Sequence, residues 1–227
     1  MILVKKMRLN STREATRKLA ETPYLFAEIR QTDQPYLLIP RVSSEQRKFV
    51  PLGYIGSDVI CKDLAFMLPN ASLYDFGLLT SSFHNAWMRT VCGRLKSDYR
   101  YSNTIVYNNF PFPEKITAVQ KTKIETAAQQ ILNARTAEEK LCTEQEQKYS
   151  LATLYAAGNM PADLLKAHNA LDKAVDAAYA YKPVLSKVEG GGKDDTARVA
   201  FLFEQYQKLT APLIDTQTAK KPKKIKP

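Results

Sequence analysis

The sequence predicts an α+β fold, a small mixed or antiparallel β region with one long helix, followed by an all-α helical bundle. Three observations predict it. Short apolar, β-rich runs separated by turn residues fill residues 24–69. Phe76, Leu79, Phe83, Trp87 and Met88 then recur at intervals of three and four, the spacing of a helix over 73–91. After Phe110-Pro111-Phe112-Pro113 only helical periodicity remains. Prolines alternating with aromatics cannot continue a helix or a central strand, so a domain boundary is placed at 113.

Taken in order, residues 9–20 begin a helix with Ser11 or Thr12 as N-cap and Glu14 in the first turn. Arg13, Arg17 and Lys18 make its exposed side cationic, which serves equally as a solvated face or as a phosphate contact. Residues 24–30 and 36–40 read as paired strands around the turn-rich 31–35. The polar, basic loop 41–51 follows, where Arg41, Ser43, Ser44, Arg47 and Lys48 are good phosphate and base-edge partners. Glycine-interrupted 53–60 and the short run 65–69 are further strands. Arg89 and Arg94 suit the dipole at the end of the helix that follows.

Beyond 113, the apolar positions predict one helix over 117–133, a second over 137–147, and a third from Pro161 to Tyr179 with proline in its first turn. A glycine break at 190–192 precedes a last helix through Val199, Leu202, Tyr206 and Leu209, with Asp194-Asp195 as its cap. Gly190-Gly191-Gly192 is not a phosphate loop, because a GKS/T ending and a preceding strand are both missing. The expected organisation is 1–113, 114–214, and a disordered lysine-rich tail over 215–227.

The 227 residues carry a formal charge of +10 and a pI near 9.4. Five tail lysines account for half of that excess, leaving +5 on the rest. A basic body points to nucleic acid or another polyanion. Cys61, Cys92 and Cys142 form no CxxC pair and no Cys/His cluster, so neither a zinc site nor a disulfide framework is expected. With no signal peptide or apolar span at the N-terminus, a cytoplasmic, membrane-free protein is expected. His84 and His168 lack acid, nucleophile or metal-ligand company, and His84 on an apolar-sided helix reads as a core histidine. No catalytic residue and no metal is therefore assigned.

The stretch 93–102 has a distinct pattern. Arg94, Lys96, Asp98 and Arg100 occupy every second position, so a continuous strand would put all four on one face, with Leu95, Ser97, Tyr99 and Tyr101 on the other. Lys and Arg donate to guanine edges and phosphate, while Asp accepts from the cytosine amino group. The same alternation also suits a solvated strand edge, where charges block unwanted pairing, and pattern alone favours that reading.

Several ordered motifs decide between them: residues 18–23 and 26–30, Arg41-Val42-Ser43-Ser44-Glu45, Phe76-Gly77, Ser81-Ser82 with His84, and Trp87-Met88-Arg89. Residues 93–102, Tyr107-Asn108, Phe110-Pro111, 171–176 and 198–206 complete the set. Together they resemble the C-terminal part of the MmeI-like DNA methyltransferases, large bacterial type II restriction-modification proteins. That resemblance implies a double-stranded-DNA recognition domain, begun part-way through, and then a C-terminal helical domain. It implies that adenine methylation and the S-adenosylmethionine cofactor belong to another domain of the parent, which becomes the protein partner. The sequence contains no Asn-Pro-Pro-Tyr motif and no glycine-rich S-adenosylmethionine loop, so the segment alone is not expected to be catalytic. The resemblance also implies that Lys96 and Asp98 face a base pair, with Arg100 beside them. The alternative of a different class is a helical protein-interaction scaffold whose basic surface is generic.

Overall fold

The computed structural model describes residues 1–182 and 192–218. They form two compact units, one of residues 1–33 and the other from Gln34 onward. The fold is α+β, with antiparallel sheets in the N-terminal part and long helices in the C-terminal part.

In the first unit α1 (Ile2–Leu9) and α2 (Glu14–Lys18) replace the single helix expected over 9–20, and a 3-10 turn (Leu19–Glu21) follows. The chain reverses between them because arginines bind backbone carbonyls. Arg8 donates to the carbonyls of Leu19 (2.7 Å), Thr22 (2.9 Å) and Leu25 (2.8 Å). Arg17 donates to those of Ser11 (2.9 Å) and Thr12 (3.0 Å). Ala20 is the one buried hydrophobic residue here, so hydrogen bonding rather than a core organises this unit.

The second unit opens with β1 (Tyr36–Pro40), β2 (Val42–Ser43), β3 (Gly53–Ile55) and β4 (Ala65–Pro69). The strand order β3-β1-β4 is antiparallel throughout, with Leu37 opposite Tyr54 on one side and Leu68 on the other. Residues 24–30 form no strand, against expectation. Both edges of β1 are taken by β3 and β4, so the expected pairing of 24–30 with 36–40 is not made. The strand expected over 53–60 ends at Ile55, where Val59 N–H turns back onto the Gly56 carbonyl (3.2 Å).

The helix expected over 73–91 is two helices, α3 (Leu73–Thr80) and α4 (Ser82–Val91), broken at Ser81 (φ −64°, ψ 159°). Ser81 Oγ donates to the Leu78 carbonyl (2.7 Å) and accepts from His84 N–H (3.4 Å), closing one helix and capping the next. Then come β5 (Gly93–Leu95), β6 (Asp98–Arg100) and a π-helical turn (Asn103–Tyr107).

Where two helices were expected, α5 (Ala118–Glu144) is one continuous helix of 27 residues, since nothing between 133 and 137 breaks it. It starts on a capping box of Thr117 and Gln120. After the short α6 (Leu151–Leu154), α7 (Ala162–Ala178) follows Pro161, which stands at the cap (φ −62°, ψ 151°) rather than inside the first turn. The last helix, α8 (Gly192–Thr218), starts before Asp195, so that residue is not its cap. Instead Asp195 pairs with Arg89 of α4 at 2.7 Å. Residues 215–218, expected to be disordered, continue α8. The glycine break as far as 191 and the tail from 219 lie outside the described residues.

One core runs through this second unit, from Leu37, Phe76 and Trp87 to Ile124, Leu171 and Leu202, and passes without a gap across residue 113. Gly77 of α3 permits a close approach of the helices: a Cβ there would lie 2.7 Å from Ile124 Cγ2 of α5 and 3.3 Å from Leu171 Cδ1 of α7.

Candidate nucleic-acid interface

The register of β2, β5 and β6 builds the candidate surface. In the strand order β2-β6-β5, Val42 faces Arg100, Ser43 faces Tyr99, Arg94 faces Tyr99 and Leu95 faces Asp98. The basic loop around 41–48 and the stretch 93–100, about fifty residues apart in sequence, thus share one sheet.

Residues 94–100 are a hairpin, not the continuous strand expected. The closing pair Leu95–Asp98 leaves Lys96 and Ser97 as a two-residue loop, and Lys96 has φ 56°. The favoured two-residue hairpin turns have positive φ at their first position, because the turn then follows the twist of the strands. A lysine there is strained by about 1–2 kcal/mol relative to glycine. The turn also changes which side chains share a face. Asp98 and Arg100 lie on one side with Leu95, while Arg94 lies on the other with Tyr99.

Arg94 is accordingly engaged within the protein. Its guanidinium sits 4.1 Å over the Tyr99 ring, donates to the Ser97 carbonyl (2.7 Å) and pairs with Glu45 (3.6 Å). It braces the loop that carries Lys96. By contrast, Lys96, Asp98 and Arg100 form no side-chain hydrogen bond or ion pair among the described residues. These three groups are presented rather than consumed.

The loop residues divide likewise. Ser43 is only 4% exposed and its Oγ has no partner, so it does not face outward as expected. Arg47 is partly buried and donates to the Ala152 carbonyl of α6 (3.3 Å). Ser44 is spent on its own turn, its Oγ accepting from Gln46 N–H (3.3 Å) and its carbonyl from Arg47 N–H (3.2 Å). Lys48 remains exposed beside the Phe49 ring, and Arg41 lies exposed over Phe66, its guanidinium carbon 4.6 Å from the ring.

Buried polar contacts hold this surface to the helices. Asn85 Oδ1 accepts from Val50 N–H (3.0 Å), while its Nδ2 donates to the Thr80 and Ser81 carbonyls at the break between α3 and α4. His84 Nε2 is 3.0 Å from the Tyr101 hydroxyl, just beyond β6, and Trp87 Nε1 donates to the Val106 carbonyl (3.0 Å). Asp172 of α7 accepts from the backbone N–H (2.7 Å) and the hydroxyl (2.6 Å) of Ser82, at the start of α4. Burial raises the Asp172 pKa, and the Ser82 hydrogen bonds oppose that shift. His168 stacks on Phe49 with ring centroids 4.0 Å apart, and its Nε2 meets the Tyr155 hydroxyl (2.7 Å), which also receives Arg135.

Both histidines are structural. Burial lowers the His84 pKa to about 4, opposed by a backbone contact at Leu79. His168 falls to about 3, through burial first and then the nearby Arg135 and Lys48 charges. Sequence reasoning singled out Glu45 and Asp172 only as members of family motifs, without a role, and missed Asn85. For Asn85 a signal existed, a lone amide between Phe83 and Trp87 on an apolar face. A cavity of about 290 Å³ opens between Phe112–Lys115, the end of α7, and α8. It offers one acid, Glu114, and no glycine-rich turn, so it does not fit S-adenosylmethionine. Among the described residues no His, Cys, Asp or Glu cluster could hold a metal, and no helix is long and apolar enough to cross a membrane.

Two family models match the chain. The one described as MmeI, target recognition domain, matches residues 1–114, and MmeI, C-terminal domain, matches residues 116–214. DNA methyltransferase A of Bacillus subtilis (strain 168) is 38% identical over 206 residues, covering 91% of this chain and 21% of that protein. A solved structure of the Type IIL restriction-modification enzyme MmeI in complex with DNA is similar with a TM-score of 0.78 and 45% identity. That similarity covers 92% of this chain and 26% of the other. The chain therefore spans about a fifth to a quarter of the length of the relatives it matches.

Proposed function

The chain belongs to the MmeI family through its target recognition and C-terminal domains, and on that premise we propose that it is a sequence-reading module for double-stranded DNA. The supporting observation is the hairpin, which presents Lys96, Asp98 and Arg100 without internal partners on a strongly basic chain. Lys96 donates to guanine O6 and N7, and Asp98 accepts from N4 of the paired cytosine. One G·C pair is thereby read from both sides. Arg100 flanks that pair, and Arg41 and Lys48 contact phosphates and set the register. Arg94 holds the hairpin loop through Ser97, Tyr99 and Glu45, so it positions Lys96 and does not read.

Functionally, residues 1–113 do the recognition and residues 114–214 carry it through the shared core. Adenine-specific methylation, S-adenosylmethionine and any cleavage fall to the rest of the parent enzyme, which is the protein partner. The test is binding of the 227-residue chain to a labelled 30-bp duplex at rising salt. The two phosphate-directed cations, Arg41 and Lys48, predict that log K falls against log salt with a slope of roughly −2. Absent binding, or binding indifferent to salt, would sink the proposal. Methyl transfer to that duplex by this chain alone would sink the division of labour.

A further inference from the structure

The face that carries Asp98 and Arg100 is not wholly polar. Cross-strand partners share a face, so Leu95 lies beside Asp98, and Val42 lies beside Arg100. Leu95 is 50% exposed and Val42 is 37% exposed. The opposite face carries Arg94 and Tyr99, with Ser43 enclosed. Single exposed aliphatic residues are ordinary on a protein surface. Leu95 is set apart by its place as the cross-strand partner of Asp98, next in sequence to Lys96, on the side where those groups lack internal partners.

In the major groove the one apolar feature of a base edge is the C5-methyl group of thymine. Neighbouring strands lie about 4.8 Å apart, and successive nucleotides of one DNA strand about 3.4 Å apart along the helix axis. With the β5–β6 ladder direction laid along the groove, a side chain across from Asp98 falls over the adjoining base pair rather than the same one. We propose that Leu95 is a further specificity residue, contacting the C5-methyl of a thymine in the base pair next to the one addressed by Lys96 and Asp98. Val42 extends the same apolar surface beside Arg100. The proposal rests on the DNA-reading function above and adds a second, chemically distinct position to it.

The test uses two pools of randomised 20-bp duplexes, one made with thymidine and one with deoxyuridine, which differs by that methyl alone. The full chain is used to select from each, and the bound sequences are read. The G·C position is identified as the one that the Lys96→Glu, Asp98→Arg chain changes. In the thymidine pool an adjoining position is expected to prefer thymine. In the deoxyuridine pool that preference drops by about fourfold, the effect of burying one carbon, while the G·C preference is unchanged. The Leu95→Ala chain is expected to select equally from both pools at that position. A thymine preference that is absent, survives removal of the methyl, or remains methyl-dependent in Leu95→Ala would overturn the assignment of Leu95. A failure to enrich any sequence from either pool would instead overturn the DNA-reading function.

Discussion

Lys96 stands where a hairpin ordinarily has glycine or asparagine, with φ 56°. Local strain of this kind is retained where the side chain has a task, and the task assigned here is base contact. Lys96→Gly should therefore stabilise the fold by about 1 kcal/mol, seen as a raised thermal midpoint, while discrimination at the G·C position drops. A variant that gains stability and keeps its preference would remove lysine from the reading role. Residue identities were legible in the sequence, but their geometry was not. The alternation of Arg94, Lys96, Asp98 and Arg100 could be seen, yet a period of two holds only along an uninterrupted strand. No glycine or asparagine marks the turn between Leu95 and Asp98, so nothing local revealed the hairpin. Ser43 was misplaced for a related reason: a polar loop residue looks exposed until the chain's folding places it in a strand and encloses it.

At the scale of elements, β1, β4 and the end of α7 lie close to where periodicity put them. The failures came from long-range contacts. The sequence between 73 and 91 is compatible with one helix, and the break at Ser81 is stabilised by Asn85 within α4, by its acceptance from Val50 N–H, and by Asp172 of α7. This break sets the direction of α4, whose His84 and Trp87 anchor the chain just after the hairpin. The close contact of α3 with α5 is equally checkable. Gly77→Ala puts a methyl 2.7 Å from Ile124 Cγ2, a branched core side chain with little room to move. Denaturant titration should report a loss of about 1–3 kcal/mol, and a neutral result would mean that α3 and α5 are not packed this closely.

For the whole molecule, charge and acid sensitivity give separate readouts. His84 and His168 are the chain's two histidines, and both are buried neutral. The unfolded chain binds protons on them below an ordinary pKa of 6.5, whereas the folded chain resists until about 4 for His84 and about 3 for His168. Their contribution to stability is therefore complete above 6.5 and is lost as pH falls through that window. Between pH 6.5 and 5 the loss should be on the order of 1–2 kcal/mol for each histidine. Thermal midpoints across that range should fall accordingly, and a flat profile would contradict the burial of both rings. The central claim is that Lys96 and Asp98 choose a base pair, and its most direct test exchanges donor and acceptor. Sequences selected from randomised duplexes by the unaltered chain should hold a G·C pair at one position, and the Lys96→Glu, Asp98→Arg chain should select the inverted C·G pair there. An unchanged selected sequence would contradict the account.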